Sequence, residues 1–311
     1  MEFTLISRNT FFIARSLNSP RLLYMIKFVS RIFRLAMTSC TGVIALFCVL
    51  LLSSPAQAAD KNRVEAFLVT TGFDAALDSI KFSAASAPDM LGLEPDQFGA
   101  DWARLAERVF NVTDMHEMAV EILIATLDDE MLNHAVGFYV TDLGQRLVEV
   151  ENAAHLDDAD DVRQREGDRI VAEMAASTDK KRLELFQRLV LATDATGIGA
   201  QALQEIQIRF LLTASAAGVV ELRVDEQGLR ALMDDSLPDL KAALSASGLA
   251  ASAYTYRDFA DSDLETYVKA LEDPLMQKVY ELLNAVQYEI TANRFEILAV
   301  RMAELHPGQD I

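Results

Sequence analysis

The stretch "GFYVTDLGQRL", Gly137 to Leu147, is met again as "KALEDPLMQKV", Lys269 to Val279, when the chain is shifted by 132 positions. Leu143 and Gln145 recur as Leu275 and Gln277, and Arg146 recurs as Lys278. Around the first copy Leu132, Val136, Tyr139, Leu143, Leu147 and Val150 follow one another at steps of three and four. Leu264, Val268, Leu271, Leu275, Val279 and Leu282 do the same around the second. Such steps place each set on one face of a helix, so both segments are amphipathic and turn that face inward. Asp273-Pro274 starts a helix, because aspartate accepts from the free amides of a first turn and proline there loses no hydrogen bond. Inside a continuing helix Pro274 would cost about 3 kcal/mol. One helix therefore ends near Leu271 and another begins at Asp273; in the same register, Thr141 or Asp142 starts the matching helix. Upstream, Ser262-Asp263-Leu264-Glu265 fits a capping box, and Asp128 caps the equivalent helix. Gly144 allows close approach to a neighbour, which Met276 does not, and Leu143 and Leu275 are expected as equivalent core anchors.

Before these segments lies a leader. Lys27, Arg31 and Arg34 precede the apolar run Gly42 to Leu52, which is followed by Ala56-Gln57-Ala58; this is the order of a secretory signal peptide. The run is far shorter than the roughly 20 apolar residues that span a bilayer. Cleavage is expected after Ala58, giving a periplasmic protein. Met25 stands at the right distance from the basic residues to be the true start, with residues 1–24 an upstream extension; Met1 is the alternative. Cys40 and Cys48 both fall in the leader, and neither sits where a lipid anchor requires it. The mature chain therefore has no disulfide, no thiolate metal site and no cysteine nucleophile.

The leader also removes six of the 28 basic residues and one of the 47 acidic ones. The remaining 22 bases and 46 acids give a net charge near −24, which repels phosphate backbones and anionic headgroups. Nucleic acid is excluded as a partner; cationic peptides, cations or a basic protein face are admitted.

Few prolines and glycines, long runs of alanine, leucine and glutamate, and little strand-like alternation make the mature chain all-α. "FLVTTGFDAALDSI" (Phe67 to Ile80) is echoed by "RLVLATDATGIGAQAL" (Arg188 to Leu203) at a spacing nearer 122. Two related helical halves follow, at 59–156 and 179–305, built from amphipathic helices with short capped corners. An acidic helical linker at 157–178 joins them, and 306–311 is a tail.

The corner segments resemble DUF2059, a bacterial family of exported proteins. The first copy is "LNHAVGFYVTDLGQRL", which keeps Phe138, Tyr139 and Gly144 but lacks the proline. The second is "YRDFADSDLETYVKALEDPLMQKV", which keeps Asp-Pro-Leu-x-Gln-Lys but has Ala270-Leu271 for the aromatic pair and Met276 for the glycine. The resemblance implies an exported helical protein carrying two divergent copies, and brings no activity with it.

Motifs for catalysis or cofactors read as structure. Gly197-x-Gly199-x-x-Ala202 matches a dinucleotide fingerprint in letters but stands among helices, where a helix corner is expected. "DMHEMAVE" holds His116 and Glu117, with His134 further on, but Val120 occupies the place of a second zinc ligand at i+4. Asp157, Asp158, Asp160 and Asp161 lack the glycine turn and distal glutamate of a calcium loop. No G-x-S-x-G elbow is present. "IQIRFLLTASAAGVV", Ile206 to Val220, is expected as a buried core helix. No catalytic, cofactor or metal residues are assigned.

Gln145, Arg146, Gln277 and Lys278 are the candidates for partner binding, although Glu149 and Glu281 stand at i+3 to pair with Arg146 and Lys278. The expected role is a non-catalytic binding or assembly module of the bacterial envelope, with an envelope protein or peptide as partner. The alternatives are a periplasmic hydrolase whose site assembles only in three dimensions, or a carrier of a hydrophobic ligand between the halves.

Overall fold

The computed structural model describes residues 60–92, 99–157 and 160–305, so the leader and the tail lie outside the described residues. Every regular element among them is helical, as the composition requires. In chain order the α-helices are α1 Lys61–Thr71, α2 Phe73–Ser79, α3 Ala87–Leu91, α4 Gly99–Val109, α5 Val112–Thr126, α6 Asp129–Tyr139 and α7 Asp142–Leu156. Then come α8 Asp160–Ala176, α9 Lys181–Thr193, α10 Gly199–Ala216, α11 Glu226–Asp234, α12 Leu237–Thr255, α13 Asp261–Leu271 and α14 Pro274–Leu305. A 3-10 segment, Ile80–Ser86, joins α2 to α3.

The two corners form as their capping residues dictate. Asp128 Oδ1 accepts from the Met131 amide at the start of α6, and Thr141 Oγ1 accepts from Gly144 at the start of α7. At the second corner Asp273 Oδ1 accepts from the amides of Leu275 and Met276, at 2.8 and 3.3 Å, and Pro274 opens α14. The capping box at Ser262 does not form. Helix α13 begins at Asp261 with Ala260 at its N-cap, and Glu265 instead meets Arg188 and Lys269. The cause is Arg182, whose guanidinium donates to the carbonyls of Tyr256, Arg257 and Phe259 and to Asp261 Oδ1, fixing the turn two residues earlier.

The long helix α14 is the spine. It lies against α4, α5 and α6 from the first part of the chain and against α9, α10 and α13 from the second. One apolar core runs through both parts, from Val64 and Phe67 to Leu298 and Met302. The predicted core helix from Ile206 is the C-terminal part of α10. Ile206, Ile208, Phe210 and Ala214 are buried, Phe210 packs edge-on to Phe295 of α14, and Arg209 forks to Glu289 and Glu296. The linker segment also packs: α8 lies along α12 so closely that a Cβ on Gly167 would stand 2.2 Å from the Ala250 carbonyl oxygen.

Leu143 and Leu275 are half-buried, not deep anchors. Just after each corner the inward position is the next residue, Gly144 or Met276, so Leu143 and Leu275 fall beside the inward line while the stripes regain it at Leu147 and Val279. The deep positions after the corners are Leu147 in α7, and Met276 and Val279 in α14. Leu143→Ala and Leu275→Ala should each cost about 1 kcal/mol, below the roughly 2–5 kcal/mol of a fully buried leucine; urea midpoints of the two variants against Leu147→Ala test this ordering.

Candidate functional site

Four of the six tyrosines after residue 58 converge on one carboxylate. Tyr139 ends α6, Glu151 lies on α7, Tyr256 follows the last turn of α12, and Tyr267 and Tyr280 sit on α13 and α14. Tyr256 and Tyr267 donate their hydroxyls to the same oxygen, Glu151 Oε1, at 2.7 and 2.8 Å. Tyr280 bridges the remaining pair, with its hydroxyl 2.5 Å from that of Tyr139 and 3.3 Å from that of Tyr267. A tyrosine buried on an amphipathic helix brings a hydroxyl that needs a partner, and here each finds one in the other part of the chain or in this shared cluster. The rings brace one another: Phe138 stacks on Tyr267 at 5.9 Å, and Tyr256 meets Tyr267 edge-on at 5.8 Å.

These groups line a pocket of about 270 Å³ whose apolar wall includes Phe73, Val279 and Leu283; the exposed His155 also lines it. Glu151 lies deep but keeps part of its surface on the pocket. Burial pushes its carboxyl up to about 7, against the two tyrosine hydrogen bonds, which pull it down. Burial raises Tyr139, Tyr256 and Tyr267 well above the usual phenol value, and raises Tyr280 as well. Near neutrality the four phenols are therefore hydrogen-bond donors that keep their protons, while Glu151 is poised between its two forms. A second cleft of about 350 Å³ between α5, α10 and α14 is walled chiefly by apolar side chains such as Ile122, Ile206 and Val286.

The residues singled out by sequence lie elsewhere. The Gln145 side chain donates to the Tyr139 carbonyl and closes the end of α6. Arg146 pairs with Asp263 at 2.9 Å and lies over the Phe259 ring, so its partner is on α13 and not Glu149 on its own helix. Gln277 and Lys278 line an open cleft with Asp194 and Asn284. His116 contacts Asp78 at 2.7 Å, and His134 contacts the capping carboxylate of Asp273 at 3.1 Å, which joins α6 to the second corner. At the glycine-rich stretch Asp194 accepts from the amides of Ile198 and Gly199, so a carboxylate of the chain already occupies the place a phosphate would need. Asp157 faces Arg163; Asp158 and the side chains of Asp160 and Asp161 fall outside the described residues.

The tyrosine cluster left one trace in the sequence: Tyr139 and Tyr267 interrupt apolar stripes at core-facing positions. Glu151 left none, being one acid among many. No curated protein and no solved structure matches the chain. A family model does match residues 113–173, the span from α5 through the first corner into α8 that contributes Tyr139 and Glu151. That model is the one for DUF2059, described as an uncharacterized protein conserved in bacteria, so the likeness is confined to that span.

Proposed function

We propose that this is an exported, non-catalytic binding module whose ligand sits in the tyrosine-lined pocket where the two parts of the chain meet. One observation carries the reading: five helices, drawn from both parts, aim four phenols and a carboxylate at one partly open, mainly apolar cavity. A few convergent polar groups in an apolar concavity are the usual composition of a ligand site. The volume lies just below the roughly 300–1,000 Å³ of sites for drug-sized molecules, so the occupant is a small molecule or a single side chain. We also read the two corners as divergent copies of one unit, since α6 and α13 share a length of 11 residues and each is followed by two residues and a capped helix. Gln277 and Lys278 are the surface candidates for a protein partner, whereas the contacts of Gln145 and Arg146 are spent within the fold.

The test is native mass spectrometry of protein isolated from its own bacterium. A bound small molecule is expected on the unaltered chain and not on Gln287→Trp, which puts an indole in place of a lining amide; equal occupancy of both would sink the reading. The same preparation tests export, since its N-terminal residue should be Ala59, and recovery of Met1 or Met25 would contradict it. A hydrolase is the second reading, favoured by Glu151 alone, because a carboxyl poised near neutrality suits a general base. Turnover of any ester or amide that is lost in Glu151→Gln would establish it.

A further inference from the structure

Among the described residues, the carboxylate inside the pocket has no counter-charge. Glu151 Oε1 accepts from Tyr256 and Tyr267, and no described lysine or arginine pairs with it. The titratable groups that face it from the surrounding helices are Tyr139 of α6, Tyr256 beyond α12, Tyr267 of α13 and Tyr280 of α14, with His155 one turn along α7. Asp78, on the adjacent α2, is turned to His116. Aromatic walls are electron-rich on their faces and attract cations. An acidic protein draws cations in and drives anions off, and the 46 acids against 22 bases that follow residue 58 make this field strong. An anionic ligand would meet Glu151 head-on, and a neutral one would leave the carboxylate uncompensated.

Resting on the pocket reading above, we propose that the tyrosine pocket binds a primary ammonium carried on an apolar stem, with Glu151 as its counter-charge. Three N–H donors suit such a head group to the carboxylate and to phenol oxygens at once, and Phe73, Val279 and Leu283 receive the stem. The same chemistry is found in a free alkylamine and in a lysine side chain. Binding requires ionised Glu151, so it weakens as pH falls below about 7 and is accompanied by proton release.

Four probes test this on the intact protein with isotope-labelled tyrosine rings: hexylammonium, Nα-acetyl-lysine methylamide, 1-hexanol and hexanoate. One or both ammonium probes should shift the ring signals of the pocket tyrosines and, at about pH 8, bind about tenfold more tightly than hexanol, as a charge-assisted hydrogen bond allows. Glu151→Gln should lose that preference, while Tyr267→Phe, which keeps the carboxylate, should retain part of it. Preference for hexylammonium would point to a free amine as occupant and preference for the lysine amide to a protein side chain; either supports the assignment. Hexanol binding as tightly as both ammonium probes at the same tyrosines would overturn the cation assignment and leave the pocket reading standing. No change in the tyrosine signals with any probe would overturn both.

Discussion

Gly144→Ala is expected to destabilise the protein by about 3 kcal/mol, at the upper end of what an added carbon costs in a packed site. A Cβ at this position would stand 2.5 Å from the Phe138 carbonyl oxygen and 2.6 Å from Tyr139 Cα. Both are main-chain atoms at the end of α6, and they move only if α6 and α7 part. Parting them also breaks the Gln145 bond to the Tyr139 carbonyl and shifts the Tyr139 hydroxyl from Tyr280. Gly137 provides the control: it is exposed on the same helix, α6, with nothing within 4 Å of a built Cβ. Gly137→Ala should stabilise by up to about 1 kcal/mol, through helix propensity alone. Urea unfolding of both variants decides the matter; similar midpoints would show that the α6–α7 corner does not need the close approach.

The second large effect lies in pH. In the folded chain the Glu151 carboxyl titrates near 7, against an ordinary value of 4.5. A raised folded pKa means that the native state binds the proton more tightly than the unfolded chain does. The stability this gives is fully present below about pH 4.5 and is lost as pH rises through 7. At 1.36 kcal/mol per unit the loss is about 3 kcal/mol. Glu151→Gln keeps an acceptor for Tyr256 and Tyr267 but cannot ionise, so its stability should be flatter between pH 4.5 and 8 and should exceed that of the unaltered chain at the upper end. Unfolding midpoints across that range provide the measurement. Parallel profiles for the two chains would mean that the carboxylate is solvated as a charge in the native state.

The helices and corners were legible in the sequence because the forces that make them are local. Asp273 next to Pro274, and Thr141 three residues before Gly144, place an acceptor beside free amides whatever the rest of the chain does. The reading failed where the outcome depended on a distant residue. Arg182 moved the start of α13, Asp263 took Arg146 from Glu149, and the corner turned Leu143 and Leu275 partly out of the core. The pocket lay further out of reach. Its polar groups, at 139, 151, 256, 267 and 280, come from five helices at spacings with no helical period, and each alone is an ordinary residue for its place.

Helix α14 has 32 residues, about 48 Å of rod at 1.5 Å per residue. Since it forms a wall for both parts of the chain, neither part can close its interior before residues 274–305 have left the ribosome. A premature stop near its start strips Phe110 and Phe210 of a shared neighbour, Phe295. A chain cut just before this helix should therefore be degraded like one cut far upstream, and closure of the core should wait for its synthesis instead of accompanying that of the earlier helices.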